Sequence, residues 1–146
     1  MPEQIKNTTL AASLLAAYRE THYGVSGPSG FLLQVDRVSA PLRELQRRHQ
    51  CDCSVFITAC NPHSVVLDAA ANHRRQQALV DDLLARHCHL LLPGVGRHPD
   101  GTWPEEPSVL ALGIDLDEAR ELGRRHEQNA VVWSGADAVP RLILLR

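Results

Sequence analysis

Apolar and polar positions recur along this chain with two periods, and the switches between them mark its elements. Leu10, Leu14, Ala17 and Tyr18 follow helical spacing, which predicts a first helix reaching about Thr21 with Thr8 or Thr9 as cap. Residues 24–30 are turn chemistry, rich in glycine, and end that unit. Residues 31–35 read as a strand, and Pro41 suits the first turn of a short helix over 42–49 with Leu42 and Leu45 inward. Residues 54–60 form a continuous, uncharged, β-branched and aromatic run, the pattern of a strand buried on both faces. Asn61-Pro62 stops it. Ser64 is placed to cap the longest helix, which the spacing carries to about His87.

Residues 90–92 predict a strand that meets Pro93, and 94–107 reads as a loop around Trp103. Residues 109–114 are the next strand. Asp115 caps the following helix, with Glu118 completing a capping box and Leu116, Ala119, Leu122 and Gly123 inward. Residues 130–133 and 142–145 supply the last strands. From residue 54 the order is strand, helix, strand, strand, helix, strand. That is the split β-α-β order of a ferredoxin-like sandwich. The expectation is therefore an α+β fold: a single sheet with helices packed mainly on one face, extended by an N-terminal helix and strand.

At 146 residues the chain has the size of one domain, so 1–146 is read as a single α+β unit with 1–7 poorly ordered. Its 44% hydrophobic and 22% charged composition is that of an ordinary globular domain. The net charge of −2 argues against a dedicated nucleic-acid partner, which needs a basic face. The arginine pairs Arg47–Arg48, Arg74–Arg75 and Arg124–Arg125 suit solvated helix faces. No apolar run approaches a bilayer span, and the polar start carries no secretion signal. A cytoplasmic protein with no membrane contact is expected, its four cysteines reduced.

Four places carry candidate chemistry. On the longest helix an apolar stripe (Val65, Val66, Ala69, Ala70, then Leu79, Val80, Leu83, Leu84) is interrupted by Asn72, His73 and Gln76, with Arg75 at its edge. A helix on a sheet turns polar in mid-face only for a loop, a cavity or a ligand. Trp103 in its proline-rich loop precedes Glu105 and Glu106, two carboxylates suited to acid–base work, cation binding or pairing with Arg75. Neighbours on extended chain point opposite ways, so at most one glutamate faces a given pocket. Gln128 or Asn129 stops the last helix or reaches a pocket at the sheet end. Cys51, Cys53, Cys60 and Cys88 lie near histidines, but Cys-x-Cys is not the usual zinc spacing, and Cys53 and Cys60 bracket a strand of roughly 23 Å. No metal is expected. Cys60 ends its strand as the best placed thiol, though a free cysteine is most often a small buried hydrophobe. No phosphate loop, dinucleotide fingerprint or nucleophile elbow appears, so no cofactor is implied.

Four motifs occur in order: Phe56-Ile-Thr-Ala-Cys-Asn-Pro62, Asn72-x-x-Arg75-Gln76, Gly101-x-Trp-Pro-Glu-Glu106 and Gln128-Asn-Ala-x-x-Trp133. Together with Ala17-Tyr18-x-x-Thr21-x-Tyr23 they resemble a bacterial family of small proteins known only as a domain of unknown function, number three-two-nine-three. The resemblance spans residues 10 to 145. It brings no activity, substrate or catalytic residue. Two positions depart from the family pattern: Cys60 stands where a bulky residue such as tryptophan is usual, and Pro107 where a small or acidic residue is usual.

The leading expectation is a pocket for a small polar or anionic metabolite between the longest helix and the Trp103 loop. Asn61, Asn72, Arg75, Gln76, Trp103 and Gln128 would bind it; Glu105 or Glu106 would act as base if the protein is an enzyme. The alternative is a non-catalytic structural or protein-interaction module, with a homodimer through the sheet as its candidate assembly and the polar set as an internal anchor of the 94–107 loop. RNA binding on the sheet is disfavoured by charge and by the single aromatic, Phe56, on a central strand.

Overall fold

The computed structural model describes residues 8–27, 30–86, 88–101 and 103–146. Residues 1–7, expected to be poorly ordered, lie outside the described residues, as does His87. Among the described residues the chain runs α1 (Ala12–Glu20), β1 (His22–Val25), β2 (Phe31–Leu33), α2 (Ala40–Arg48), β3 (Ser54–Ile57), a 3₁₀ turn (Pro62–Ser64), α3 (Ala69–Ala85), β4 (Leu90–Arg97), β5 (Glu106–Leu112), α4 (Leu116–Arg125), β6 (Ala130–Ser134) and β7 (Arg141–Leu144). The fold is α+β. All seven strands join one antiparallel sheet in the order β2-β1-β4-β5-β3-β6-β7.

Every residue of β3 is buried because the sheet is packed on both sides. Val55, Ile57, Val109, Ala111, Val131 and Ile143 meet Leu79 and Leu83 of α3 and Ala119 and Leu122 of α4. The alternate positions Phe56, Leu110, Leu112, Val132 and Leu142 meet Tyr23, Leu42 of α2 and Tyr18 of α1. The expectation of helices mainly on one face is thereby corrected: two helices cover each face. Period-2 alternation in β3, β5 and β6 places large apolar groups on both sides, and each side needs a cover.

Local boundaries moved for identifiable reasons. Ala11 precedes α1 with no side-chain cap, while the Thr8 hydroxyl accepts from the Leu10 N–H instead. Ser64 does not cap α3; Asp68 does, accepting from the Ala71 N–H at 2.7 Å. Val65 and Val66 consequently precede the helix and are more than half exposed. The capping box on α4 forms, and Glu127, at φ 58°, is its left-handed stop rather than Gln128 or Asn129. Gln128 N–H closes that turn on the Gly123 carbonyl at 2.8 Å.

Gly24 and Val25 of β1 and the second half of β4 were read from sequence as turn and loop. Pro93 does not end β4, because the β1–β4 register covers residues 94–97 only. A residue's N–H and C=O leave an antiparallel strand on the same side. The Pro93 carbonyl accepts from Ser26 N–H at 2.9 Å, so the missing donor faces the end of β1 and breaks no ladder bond.

Gly94 sits where β1 approaches the Phe56 ring. A Cβ there would lie 2.6 Å from the Gly24 carbonyl and 2.7 Å from Phe56 Cε2. Gly94→Ala is expected to destabilise the fold by about 1–3 kcal/mol through overpacking. Gly96→Ala, whose Cβ would meet only Thr21 Cγ2 at 3.9 Å, should stay within about 0.5 kcal/mol of wild type. Urea unfolding of the two variants checks this, and equal losses would contradict it.

Candidate functional site

β3 ends at Ile57, and the chain then crosses the end of the sheet with only the short 3₁₀ turn before Asp68. Such a segment needs its backbone groups satisfied from elsewhere. Side chains of α3 do this. Gln76 Oε1 accepts from the Ala59 N–H at 2.9 Å, and Arg75 Nε donates to the Ala59 carbonyl at 2.8 Å. Asn72 Oδ1 accepts from the Asn61 N–H at 2.9 Å, and its Nδ2 donates to Asn61 Oδ1 at 2.8 Å. Arg75 Nη2 also donates to the His126 carbonyl at 2.8 Å, and Gln128 Nε2 donates to the Cys60 carbonyl at 3.1 Å. Asn72, Arg75, Gln76 and Gln128 thus form one network that holds residues 59–61 to α3 and to the end of α4. It reaches the 94–107 segment through Thr58 Oγ1, which lies 3.3 Å from Gln76 Oε1 and donates to the Pro107 carbonyl at 2.7 Å, and through Asn61.

Asn61 is the junction of that network with a cavity. It is buried and left-handed (φ 50°, ψ 66°), and its Oδ1 also accepts from the Leu67 N–H at 3.0 Å. Its remaining amide group donates to Glu106 Oε2 at 2.8 Å. His63 and Ser64 are left-handed too, with φ 50° and 64°. Three such residues in four are costly unless the surroundings hold them, and conformations of this kind gather at functional sites.

The cavity, about 150 Å³, lies between α1 and the sheet. Its floor is Phe56, Val132, Leu142 and Tyr23, and its α1 wall is Leu14, Ala17 and Tyr18, with Thr21 just past the helix end. Tyr23 and Phe56 meet edge to face at 5.3 Å. Glu106 stands opposite Gly96, and Gly96 opposite Tyr23, so the missing side chain leaves space in front of the carboxyl. At the β6 end, Asn129 Nδ2 donates to Tyr18 Oη at 3.1 Å and Ser64 Oγ at 3.0 Å, and those two hydroxyls are 3.0 Å apart. The mouth carries Trp103, 39% exposed, and His98. His98 bridges Asp100 and Glu20, at 2.5 Å and 3.3 Å.

Among the sequence-predicted residues, Asn61, Trp103, Glu106 and Gln128 line this cavity, whereas Asn72, Arg75 and Gln76 do not. The cavity therefore lies against α1 rather than against the longest helix. Glu105 points away from it and pairs with Arg97 at 2.7 Å in solvent, where the guanidinium holds its carboxyl below the usual glutamate range. Asn129, one of the two amides expected at a helix stop or a pocket, also lines it, whereas Tyr18, Tyr23, Ser64, His98 and Ser108 were not singled out as pocket residues. For Tyr18 one signal existed: a tyrosine on an apolar stripe needs a partner for its hydroxyl.

Glu106 is the chemically distinct group. Burial pushes its carboxyl above the ordinary glutamate range, against the opposing bond from Asn61. The cysteines are free, and burial raises all four thiols, Cys53 to about 11, the opposite of what a nucleophile needs. Among the described residues no group of three or more His, Cys, Asp or Glu gathers to hold a metal. No helix among them is long and apolar enough to cross a membrane.

Residues 57–131 match the family described as "Protein of unknown function (DUF3293)". The chain belongs to this family. No curated protein and no solved structure matches it. The DUF3293 segment carries the α3 network, Asn61, Ser64, Glu106 and Asn129, while the α1 wall of the cavity lies outside it.

Asn72→Ala removes both bonds to Asn61, and should destabilise the protein by roughly 1–3 kcal/mol, the cost of leaving buried partners unpaired. Arg75→Ala should do the same through the Ala59 and His126 carbonyls; unchanged melting temperatures would remove the network's structural role. Glu106→Gln gives a pH test. A carboxyl with a raised folded pKa imposes no penalty below the ordinary glutamate pKa near about 4.3, and its full penalty above the raised value. The variant should therefore melt higher than wild type at neutral pH, and the gain should vanish on acidification below about pH 4.

Proposed function

We propose that this protein binds a small molecule in the cavity between α1 and the sheet. The observation that carries this reading is the buried, left-handed Asn61 presenting its amide to the Glu106 carboxyl at the wall of an otherwise largely apolar cavity. A carboxyl kept out of water and aimed at open space is a liability to stability, and apolar clefts with a few convergent polar groups are where ligands bind. The cavity's size suits one ring: an engineered apolar cavity of roughly 150 Å³ admits benzene. Glu106 is the residue for acid–base work if turnover occurs, and Arg75, whose guanidinium is taken up by two carbonyls and Glu127, is left out of ligand binding.

In the same reading the 54–134 unit is a ferredoxin-like core. The order β4-β5-β3-β6, with α3 and α4 on one face, supports it. A single domain in the cytoplasm accords with four free cysteines. The alternative, a structural or interaction module, is supported by the internal use of Asn72, Arg75 and Gln76; native mass spectrometry separates it through a homodimer mass without a small-molecule adduct.

The direct test uses benzyl alcohol as a neutral ring-sized probe and amide chemical shifts as the readout. Shifts should cluster at Tyr18, Ser64, Gly96, Ser108 and Asn129, and Ala17→Phe, which fills the cavity from α1, should abolish them. Shifts scattered over the surface, or surviving in the filled variant, overturn the binding reading.

A further inference from the structure

This inference rests on the binding reading above and names the ligand class. The chain holds two Trp, two Tyr and two Phe, six aromatic residues in all, and four of them (Tyr18, Tyr23, Phe56 and Trp103) line the one cavity. Tyr23 and Phe56 are also core residues of that sheet face, so the cavity opens beside the aromatic part of the core. The same lining contains Glu106 and, among its described residues, no Lys or Arg. Of the guanidiniums near the lining, Arg97 pairs with Glu105, Arg75 donates to the Ala59 and His126 carbonyls, and Arg146, outside the lining, donates to Asn129 Oδ1 at 3.3 Å. At the mouth two more carboxylates, Glu20 and Asp100, flank His98.

Each feature selects by charge in the same direction. An anion entering the cavity would meet the Glu106 carboxylate, aromatic walls and, in the described lining, no basic side chain other than His98. A cation meets complementary partners throughout: the outer carboxylates raise its local concentration, ring faces attract it and Glu106 pairs with it. Aromatic walls combined with a carboxylate are the chemistry of ammonium recognition. We propose that the cavity takes an organic amine, an ammonium group on a single-ring or similarly small apolar body. The ammonium donates to Glu106, whose second oxygen remains fixed by Asn61, and the body lies on Phe56, Val132 and Leu142. The polar triangle of Tyr18, Ser64 and Asn129 then offers a further contact to a hydroxyl or carbonyl on the body. For an anionic metabolite the lining offers hydrogen-bond donors but no Lys or Arg among its described residues.

The experiment compares three probes of one shape, benzylamine, benzyl alcohol and benzoate, titrated at neutral pH with amide shifts at Tyr18, Gly96 and Asn129 as readout. Benzylamine should bind about tenfold or more tighter than benzyl alcohol, with benzoate weakest. Glu106→Gln keeps an acceptor for Asn61 and so should fold, and it should erase the preference while benzyl alcohol still binds. Trp103→Ala, on an exposed loop, should weaken benzylamine more than benzyl alcohol. Benzyl alcohol or benzoate binding as tightly as benzylamine overturns the amine assignment and leaves the cavity as a binding site. Failure of all three probes overturns the binding reading, and the amine assignment with it.

Discussion

The side chain of Asn61 joins the two halves of the molecule's polar architecture. On one side its backbone N–H and its side-chain Oδ1 are held by Asn72, so α3 fixes where residues 59–61 run. On the other its amide donates to Glu106 and thereby fixes the carboxyl that faces the cavity. The geometry is unusual, because Asn61, His63 and Ser64 all sit in the left-handed region. Asparagine accepts that conformation more readily than most residues, and a network of bonds to Asn72, Leu67 and Glu106 holds it there.

From that junction the rest of the site follows by strand geometry. Glu106 opens β5, so side-chain alternation sends it to the cavity face with Ser108, Leu110 and Leu112, and sends Glu105 outward to Arg97. Gly96 and Gly94 on the neighbouring strand leave the space that the Phe56 ring and the cavity occupy. α1 then closes the cavity with Tyr18, whose hydroxyl is tied to Ser64 and Asn129. Stability and function pull in opposite directions here: a desolvated carboxyl held by a neutral amide weakens the fold, and a cationic partner would relieve it.

The polar interruption at Asn72, Arg75 and Gln76 shows how far one dimension reaches. Helical spacing exposes it as an anomaly, because polar groups in a buried stripe must have partners. It does not say which partners. The bonds run from Arg75 to Ala59, 16 residues away, and to His126, 51 residues away, and only the packed sheet brings those carbonyls to one helix face. An arginine read from sequence as an anion-binding group is therefore a backbone clamp.

The sequence by itself determined the elements with strong local signals: β3 from its uncharged β-branched run, α4 from its capping box, and the mixed α+β class from their order. It also determined that only one of Glu105 and Glu106 faces a pocket, since alternation is a property of the extended chain. Tertiary structure alone decided the rest. His22–Val25 is a strand because β4 pairs with it, and β4 passes Pro93 because β1 has already ended there. Helices cover both faces of the sheet, and the cavity lies against α1 rather than α3. The division has one physical reason. Caps and periodicities are interactions within a few residues, whereas strand pairing, burial of the second face and the space left by a glycine depend on which distant segment arrives beside them.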